Sequence, residues 1–306
     1  MTQPKPQLSI IIISFNTAHI TKECIESIYG SFTPLPHVKP SSLQFEIIVI
    51  DNNSTDTSIK EIKKLQEKHS NIVLIENKEN DGFAKANNLG VTKAQGDYLL
   101  FLNSDIVVLP RSIEKLFYFF SQHEEEINFL GGRLLNKDKT PQASCGPFYS
   151  LTVIFWALFM RGDYWGKTRS SPNNIKEVDW VSGACILTKG EYFESIQGFD
   201  EKIFMYMDEI DLLYRAKQKG YSVFYYPDAE FIHLGSASSG GKTYPILQVY
   251  RGFIYFYKKH YSGLSLTILK SMLQLKALVA LVIGRLLRNK YLIQTYEEAF
   301  RIARMA

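Results

Sequence analysis

The sequence predicts a doubly wound α/β fold, in which helices cover both faces of a mostly parallel β-sheet. Four short apolar segments rich in β-branched residues have the composition of strands that are buried on both faces. These segments are residues 8–13, 45–50, 72–76 and 98–102. Segments with helical periodicity alternate with them, at about residues 20–29, 54–69 and 83–94. A strict alternation of strand and helix is typical of this fold class.

The second half of the chain adds further strands and one helix. The predicted strands are residues 129–135, 178–188 and 221–226, with 229–233 as an extension of the last. Gly183 and Ala184 interrupt the middle one, and a glycine within a strand marks a point where a ligand or another backbone approaches closely. Residues 203–219 are predicted to form a helix.

The C-terminal region, residues 241–306, is predicted to be a helical extension of an α/β domain at residues 1–240. Its longest uninterrupted apolar run, 277–284, is shorter than the roughly 20 residues that cross a bilayer. Aromatic residues and lysines precede this part, and Arg285 and Arg288 follow the run. This pattern predicts a helix that lies in a membrane interface. The alternative is a helical hairpin packed on the core or on a partner subunit.

Bulk composition excludes several classes of protein. The 306 residues include 35 basic and 31 acidic side chains, and this small excess of positive charge does not indicate a nucleic-acid partner. Cys24, Cys145 and Cys185 are too widely spaced for a metal motif and are expected to be reduced, buried thiols. Residues 1–7 are polar and lack the apolar stretch of a signal peptide, so we expect a cytoplasmic protein.

Polar loops follow all four strands of the first half. Ligands of doubly wound sheets bind beyond the carboxyl ends of the strands, so loops at these ends are candidates for a binding site. The loops are residues 14–16, 51–53, 77–82 and 103–105. A single polar loop means little, but four at equivalent positions predict one shared pocket.

Asp105 is the main candidate for a metal ligand. Together with Asn103 it offers hard oxygen ligands directly after a buried strand, which suits Mg²⁺ or Mn²⁺ bridging a diphosphate. The alternative is an Asx turn before the helix that begins near Pro110. His233 ends a later strand and is a second candidate ligand, although a lone histidine is more often structural.

Two other loops are candidates for nucleotide binding. Asp51 ends the second strand, where a carboxylate accepts hydrogen bonds from a nucleobase or ribose. In the loop 77–82, Gly82 forms a turn before a helix whose N-terminus attracts anions, and Lys85 adds positive charge there. In both loops a simple turn is the alternative.

Asp208, Glu209 and Asp211 place three acids within one helical turn. Like charges at this spacing raise one another's pKa, which suits a proton acceptor. The alternative is a solvated helix face, but the flanking residues are apolar and indicate partial burial. Asp211 and Arg215 have the spacing of an ion pair, so Asp211 is expected to be structural.

In their order and spacing, these motifs resemble the family 2 glycosyltransferases of the GT-A fold. The resemblance covers about residues 8–240, and within the family the chain is most similar to rhamnosyltransferase-like enzymes of bacterial cell-surface polysaccharide assembly. The matching segments are residues 9–16, 49–56, 80–88, 96–105, 181–184, 198–201, 208–212 and 233–235.

The resemblance implies a Rossmann-like sheet in which residues 8–105 bind the nucleotide-sugar and 106–240 form the acceptor side. It implies Mg²⁺ or Mn²⁺ on Asp105 and His233, an acceptor contact at Trp180, and Glu209 as catalytic base with Asp208 as a rival. The implied residues for the donor, a dTDP- or UDP-sugar, are Ser14, Asn16, Asp51, Asn53, Asn80, Gly82, Lys85, Asn88, Asn103, Ser104, Gly183 and Ala184.

Two positions depart from the family pattern. Asn103 replaces the first acid of the Asp-x-Asp motif and brings no charge, which weakens the predicted metal site. The acid types of the catalytic Glu-Asp pair are reversed at Asp208 and Glu209.

The expected activity is inverting transfer to a glycan or polyprenyl-linked acceptor, on the inner face of the cell membrane. One alternative is a catalytically impaired subunit that binds nucleotide-sugars. The other, a sugar-phosphate nucleotidyltransferase, requires a glycine-rich loop after the first strand, and residues 14–17 contain no glycine.

Overall fold

The computed structural model describes residues 5–33, 41–235, 243–261 and 263–305. The strands within these ranges are β1 Leu8–Ser14, β2 Phe45–Asp51, β3 Ile72–Glu76, β4 Tyr98–Asn103, β5 Ile106–Val108, β6 Phe129–Leu135, β7 Pro141–Gln142, β8 Cys145–Gly146, β9 Lys176–Glu177, β10 Trp180–Val181, β11 Cys185–Lys189 and β12 Val223–His233. The helices are α1 Ala18–Ser31, α2 Ser58–Lys68, α3 Gly82–Val91, α4 Ser112–Gln122, α5 Leu151–Phe159, α6 Gly190–Ser195, α7 Asp208–Gln218, α8 Thr243–His260, α9 Gly263–Leu286 and α10 Lys290–Met305.

The main sheet has the strand order β3-β2-β1-β4-β11-β6-β12-β5. Its first four strands are parallel, β11 runs antiparallel to both neighbours, and β12 is parallel to β6. The register aligns Ser14 with Asp51, and Ile13 with Asn103. The polar loops after β1, β2 and β4 therefore lie at one edge of the sheet.

Helices cover both faces of this sheet, as the β-branched strands predict. Along β1, Ile10 and Ile12 face one hydrophobic core while Ile11 faces the other, and all three are fully buried. Complete burial of such a side chain contributes about 1.5–3 kcal/mol. A strand that buries both faces needs apolar residues at successive positions, which explains the run of four isoleucines.

The C-terminal helices pack against the rest of the protein. Phe253 and Phe256 of α8 and Leu273 of α9 belong to the same hydrophobic core as Leu212 of α7. The expected boundary between residues 240 and 241 lies outside the described residues. The shared core links the C-terminal helices to the helix that carries the acidic cluster.

The predicted helix 203–219 is shorter in the structure, because α7 begins only at Asp208. Tyr206 and Met207, directly before it, have left-handed φ angles of 62° and 69°, which a right-handed helix does not accommodate. The acids therefore lie at the N-terminus of the helix and not within it.

The predicted strand 178–188 is also divided, at the interruption that Gly183 and Ala184 predict. Its first part, β10, pairs with β8 in a separate small sheet, and its second part, β11, joins the main sheet. In contrast, residues 223–233 form one continuous strand with an irregularity between Tyr226 and Glu230.

Candidate active site

Asp105 and His233 lie side by side because β5 and β12 pair in antiparallel fashion. The register opposes His233 to Ile106, and the Leu234 N–H donates to the Asp105 carbonyl oxygen at 2.9 Å. As a result, His233 Nε2 is 3.3 Å from Asp105 Oδ1. The two predicted metal ligands, far apart in sequence, are thus neighbours at the sheet edge.

This pair suits a divalent metal ion. The second ring nitrogen of His233, Nδ1, is 2.6 Å from Gln142 Oε1. Nε2 and a carboxylate oxygen of Asp105 therefore remain as adjacent electron-pair donors for a metal ion. A carboxylate and an imidazole are acceptable to Mn²⁺, whereas Mg²⁺ prefers oxygen alone. Among the described residues no group of three or more His, Cys, Asp or Glu side chains is placed to hold a metal.

Asp51 is fully buried at the end of β2, and its two carboxylate oxygens differ in their hydrogen bonding. Its Oδ1 accepts a hydrogen bond from the Ser54 N–H at 2.8 Å. Its Oδ2 is buried with no hydrogen-bond partner among the described residues. Because a buried polar atom without a partner costs about 1–3 kcal/mol, this oxygen calls for an external donor.

The loop 77–82 is held by an amide network. Asn52 Nδ2 donates to the Gly82 carbonyl oxygen at 2.9 Å, and the Gly82 N–H donates to Asn80 Oδ1 at 3.0 Å. Gly82 has a φ of +75°, and a Cβ there would lie 2.4 Å from the carbonyl oxygen of Phe204. Glycine is therefore required where this loop contacts the segment before α7.

The first two strand-end loops contact each other. Asn16 Oδ1 accepts a hydrogen bond from the Thr55 N–H at 2.7 Å, while Asn53 is exposed with a left-handed φ of 64°. The side chain of Ser14 is fully buried and lies within hydrogen-bond distance of Thr21, at 3.1 Å. Ser14 was predicted to contact the donor, but its hydroxyl is enclosed in the protein and supports the loop instead.

Two predicted donor residues on α3 are bound within the protein. Lys85 Nζ contacts Asp81 Oδ1 at 2.6 Å. Asn88 bonds both the N–H and the carbonyl oxygen of Phe199. The charge of Lys85 is thus paired with the carboxylate of Asp81, the residue before α3. Asn88 fixes the segment before Asp200 instead of offering a free amide.

The acid pair combines burial with proximity to the strand interruption. Burial raises the pKa of Asp208 well above its usual range, and the adjacent Glu209 adds to this effect. Burial also raises the pKa of Glu209, against backbone hydrogen bonds and the charge of Arg169, which lower it. A Cβ added at Gly183 would lie 3.4 Å from the Cβ of Glu209, so these two predicted site residues are neighbours.

The remaining residues near the interruption are partly accessible or buried. Asn103 and Ser104 are half-buried, and the Asn103 N–H donates to the carbonyl oxygen of the buried Ala184 at 3.1 Å. Trp180, the predicted acceptor contact, is only 3% exposed. Its indole N–H donates to the Pro147 carbonyl oxygen at 2.8 Å. The ring therefore packs in the core, and an acceptor contact at Trp180 stays a prediction.

Three features of the site have no signal in the sequence. Gln142 reaches His233 only because β7 folds back on β6. Arg169 influences Glu209 from a loop with no regular pattern. Tyr206 and Met207 adopt left-handed conformations that their residue types do not predict, and such outliers concentrate at functional sites.

The model of the family described as glycosyl transferase family 2 matches residues 9–165. The chain belongs to glycosyl transferase family 2. It is a glycosyltransferase, which excludes the nucleotidyltransferase alternative. The matched residues contain the loops after β1 to β4, while α7 with its acid pair lies beyond them.

Curated relatives of this glycosyltransferase transfer sugars, according to their names. An N-acetylglucosaminyl-diphospho-decaprenol L-rhamnosyltransferase of Mycobacterium tuberculosis is 25% identical over 237 residues, covering 69% of this chain and 76% of that protein. The low-salt glycan biosynthesis hexosyltransferase Agl10 of Haloferax volcanii is 26% identical over 220 residues, covering 71% and 63%.

Solved structures share the fold of this glycosyltransferase. The mannosyltransferase PcManGT from Pyrobaculum calidifontis, in complex with GDP-Man and Mn²⁺, has a TM-score of 0.58 and 17% identity, covering 99% of this chain and 76% of that one. S. aureus TarS has a TM-score of 0.53 and 13% identity, covering 97% and 90%. The chain therefore has the predicted GT-A fold, with a mostly parallel sheet and a C-terminal helical region.

Proposed function

We propose that this glycosyltransferase moves a sugar, with inversion, from a nucleoside diphosphate sugar to a hydroxyl of a glycan or lipid-linked acceptor in cell-surface glycan synthesis. The observation that carries the proposal is the acid pair of Asp208 and Glu209 at the N-terminus of α7, whose raised pKa values suit proton acceptance. The names of the relatives in Mycobacterium and Haloferax support the pathway and the lipid-linked acceptor.

In the proposed reaction, Glu209 removes the proton from the acceptor hydroxyl. The acceptor oxygen then bonds to the anomeric carbon while the bond from that carbon to the diphosphate oxygen breaks on the opposite face. The proton remains on Glu209, and the nucleoside diphosphate leaves with the electron pair. Glu209 is preferred as the base because its side chain is partly exposed beside Gly183, whereas Asp208 is only 3% exposed.

The donor is proposed to bind along the strand ends. Asp51 Oδ2 would accept a hydrogen bond from the base or ribose, which would satisfy its unpaired buried oxygen. Asp105 and His233 would hold Mn²⁺ or Mg²⁺, which when bound offsets the negative charge of the departing diphosphate. Rhamnose as the transferred sugar is a further proposal that rests on the name of the mycobacterial relative. A dTDP- or UDP-linked donor is a proposal that rests on the family resemblance of the sequence.

We expect nucleoside diphosphates to raise the Tm of the protein in a metal-dependent way. A thermal-shift panel of UDP, dTDP and GDP, with and without Mn²⁺, identifies the nucleotide, because only a ligand bound to the folded state raises Tm. Asp105→Ala should remove the gain that Mn²⁺ adds, since it deletes the charged ligand.

Asp97→Ala is the matched control, because Asp97 is an exposed carboxylate paired with Lys5 away from the site. The metal proposal fails if Asp105→Ala keeps the full Mn²⁺-dependent gain. Hydrolysis of the donor without acceptor in the presence of Mn²⁺ would count against the alternative of a catalytically impaired subunit.

We also propose that α9 lies on a membrane surface. Among the described residues, Gly263–Leu286 is the one helix long and apolar enough to cross a membrane. The sequence prediction differed, because the uninterrupted apolar run 277–284 within it is too short to cross a bilayer. Leu269, Leu273 and Ala277 are fully buried in the protein, so one side of the helix is already covered. The opposite side forms an exposed apolar stripe of Leu264, Ile268, Leu275, Leu278, Val279, Val282, Ile283 and Leu286.

This geometry favours a helix embedded in the interface over one that spans the bilayer. If the helix spanned the bilayer, its polar contacts with the rest of the protein would lie within the lipid. One such contact is the hydrogen bond that Lys276 Nζ donates to the Leu158 carbonyl oxygen at 2.7 Å. Basic residues at the C-terminal end of the stripe, Arg285 and Arg288, suit the anionic lipids of an inner membrane face.

Leu278→Glu is expected to lower binding to phosphatidylglycerol vesicles by about tenfold, because burial of one leucine contributes about 1.5–3 kcal/mol. Leu278 is 50% exposed, so folding should be unaffected. Gln294→Glu on the exposed side of α10 adds the same charge and serves as the control in a vesicle co-sedimentation assay. Equal binding by both variants and the wild type would contradict the membrane proposal.

A further inference from the structure

A chain of polar side chains leads from the β6–β7 hairpin to His233. Gln142 Oε1 is 2.6 Å from His233 Nδ1, and Gln142 Nε2 donates to Asn136 Oδ1 at 3.1 Å. Asn136 Nδ2 in turn donates to Thr140 Oγ1 at 2.9 Å, and the Thr140 hydroxyl donates to Asp138 Oδ1 at 2.6 Å. These contacts connect an exposed carboxylate to the histidine beside Asp105.

The chemistry of the groups fixes the direction of every hydrogen bond in this chain. The Asp138 carboxylate only accepts, so the one hydroxyl hydrogen of Thr140 points to it and Thr140 Oγ1 accepts from the amide of Asn136. The oxygen of Asn136 therefore faces the amide nitrogen of Gln142. Consequently the Gln142 oxygen faces His233, and the proton of that bond must lie on His233 Nδ1.

A second contact opposes reversal of the Gln142 amide. Its Nε2 also lies 3.4 Å from the backbone carbonyl oxygen of His233, which only accepts. If the amide were reversed, its oxygen would face both that carbonyl and Asn136 Oδ1, which is repulsive. Asn136 Oδ1 and the His233 carbonyl oxygen both accept from the Gln142 amide nitrogen and keep it on their side. The Gln142 oxygen therefore stays toward the imidazole.

We infer that Gln142 is a positioning residue that holds His233 as the tautomer protonated on Nδ1, so that the Nε2 lone pair faces Asp105. Only this tautomer leaves two adjacent electron-pair donors at the sheet edge. The use of these donors for a divalent cation rests on the proposed function, but the assignment of the tautomer does not.

Gln142 is needed because Asp105 favours the opposite tautomer. A carboxylate is a strong acceptor, and Asp105 Oδ1 is 3.3 Å from Nε2, so an unrestrained His233 would donate from Nε2 to it. That hydrogen bond would leave neither His233 Nε2 nor Asp105 Oδ1 with a free electron pair directed at a metal ion. Outer partners that orient a ligating histidine typically change metal affinity 10–100-fold when they are removed, and the same range is expected here.

The test is ¹⁵N NMR of histidine-labelled, metal-free protein at alkaline pH, with the His233 signals assigned by their loss in His233→Asn. In the wild type, Nδ1 should carry the proton and Nε2 should give an unprotonated shift. In Gln142→Leu the two should exchange roles. Lys137→Ala, in the same hairpin, leaves Gln142 and its partners in place and should preserve the wild-type pattern.

Mn²⁺ binding, followed by the electron paramagnetic resonance signal of the free ion, supplies the second measurement. Gln142→Leu should weaken Mn²⁺ binding by about 10–100-fold. Lys137→Ala should leave it within about threefold of the wild type, since it keeps Gln142 as the acceptor for Nδ1. An unchanged tautomer in Gln142→Leu would overturn the inference. A wild type that binds no Mn²⁺ would instead refute the metal site, and the NMR result would still decide the role of Gln142.

Discussion

Replacing Glu209 with glutamine is expected to lower kcat for sugar transfer by about 10²–10⁴-fold, the usual contribution of a general base. Glutamine preserves the shape of the side chain beside Gly183 but cannot accept the proton of the acceptor hydroxyl. The Tm gain from a nucleoside diphosphate should stay unchanged, because Asp51, Asp105 and His233 lie at strand ends outside α7. Transfer kinetics and thermal shift, measured on the same preparation, separate the two effects.

The pH dependence follows from the raised pKa of Glu209. The base must be ionised to act, so kcat/KM should increase with pH through that raised pKa, above the ordinary range of a glutamate. Burial and the neighbouring Glu209 charge raise the pKa of Asp208 well above its usual range. Asp208 is also the less exposed of the two acids, so we expect it to be the protonated member of the pair.

Asp208→Asn is the variant that distinguishes the two acids. A protonated aspartic acid and an asparagine have similar shape and hydrogen-bonding capacity, so this change should cost far less activity than Glu209→Gln. The opposite ranking, with Asp208→Asn as the inactive variant, would assign the base to Asp208. Full transfer activity in Glu209→Gln would refute the proposed mechanism outright.

The first four strands were predictable because each is specified locally. Parallel strands buried on both faces need continuous β-branched runs, such as Ile10 to Ile13, and their polar ends mark the ligand edge. The solved GT-A structures confirm this fold class. The interruption at Gly183 was also visible, since glycine tolerates the close approach of Glu209.

The contact between Asp105 and His233 could be predicted only through the family resemblance. It depends on pairing of β12 with the three-residue strand β5, which is too short to show a periodic pattern. The amide of Gln142 enters by an equally short strand, β7. Pairings of such short strands are decided by the tertiary structure, so the residue pattern around β5 and β7 does not predict them.

The start of α7 was mispredicted for a related reason. Residues 203–207 are compatible with a helix by composition, but contacts with distant residues enforce a different path. The Phe204 carbonyl oxygen accepts from the Phe83 N–H at 2.8 Å, and Gly252 of α8 lies against Met207. Tertiary contacts thus stabilise the left-handed Tyr206 and Met207 and place both acids at a helix N-terminus.

Asp211→Asn is expected to destabilise the protein by about 3–5 kcal/mol, the usual cost of removing one partner from a buried ionic cluster. Asp211 is fully buried and contacts Arg215 at 2.7 Å, Lys259 at 2.8 Å and His260 at 2.7 Å. The variant would leave these cations without their shared carboxylate. Thermal unfolding should show a Tm loss of about 2–4 °C per kcal/mol.

The sign of the pH dependence follows from the pKa of Asp211. Burial favours the neutral acid, but hydrogen bonds from His260 and Lys259 and the charge of Arg215 outweigh it and lower the pKa to about 2 from an ordinary 3.8. A lowered pKa stabilises the folded state at any pH above the unfolded value. This contribution should be lost as pH falls from about 4 through about 2, so the Tm difference between wild type and Asp211→Asn should shrink there.

Asp97→Asn provides the matched control, because it makes the same chemical change in an exposed pair with Lys5 and should cost less than about 1 kcal/mol. Equal losses of Tm in the two variants would contradict the role assigned to Asp211. The cluster joins α7 to Lys259 and His260 of α8, so the whole unfolding transition should move as one. Two separate transitions, with only one shifted, would instead favour the division into an α/β domain and a C-terminal region that the sequence predicts.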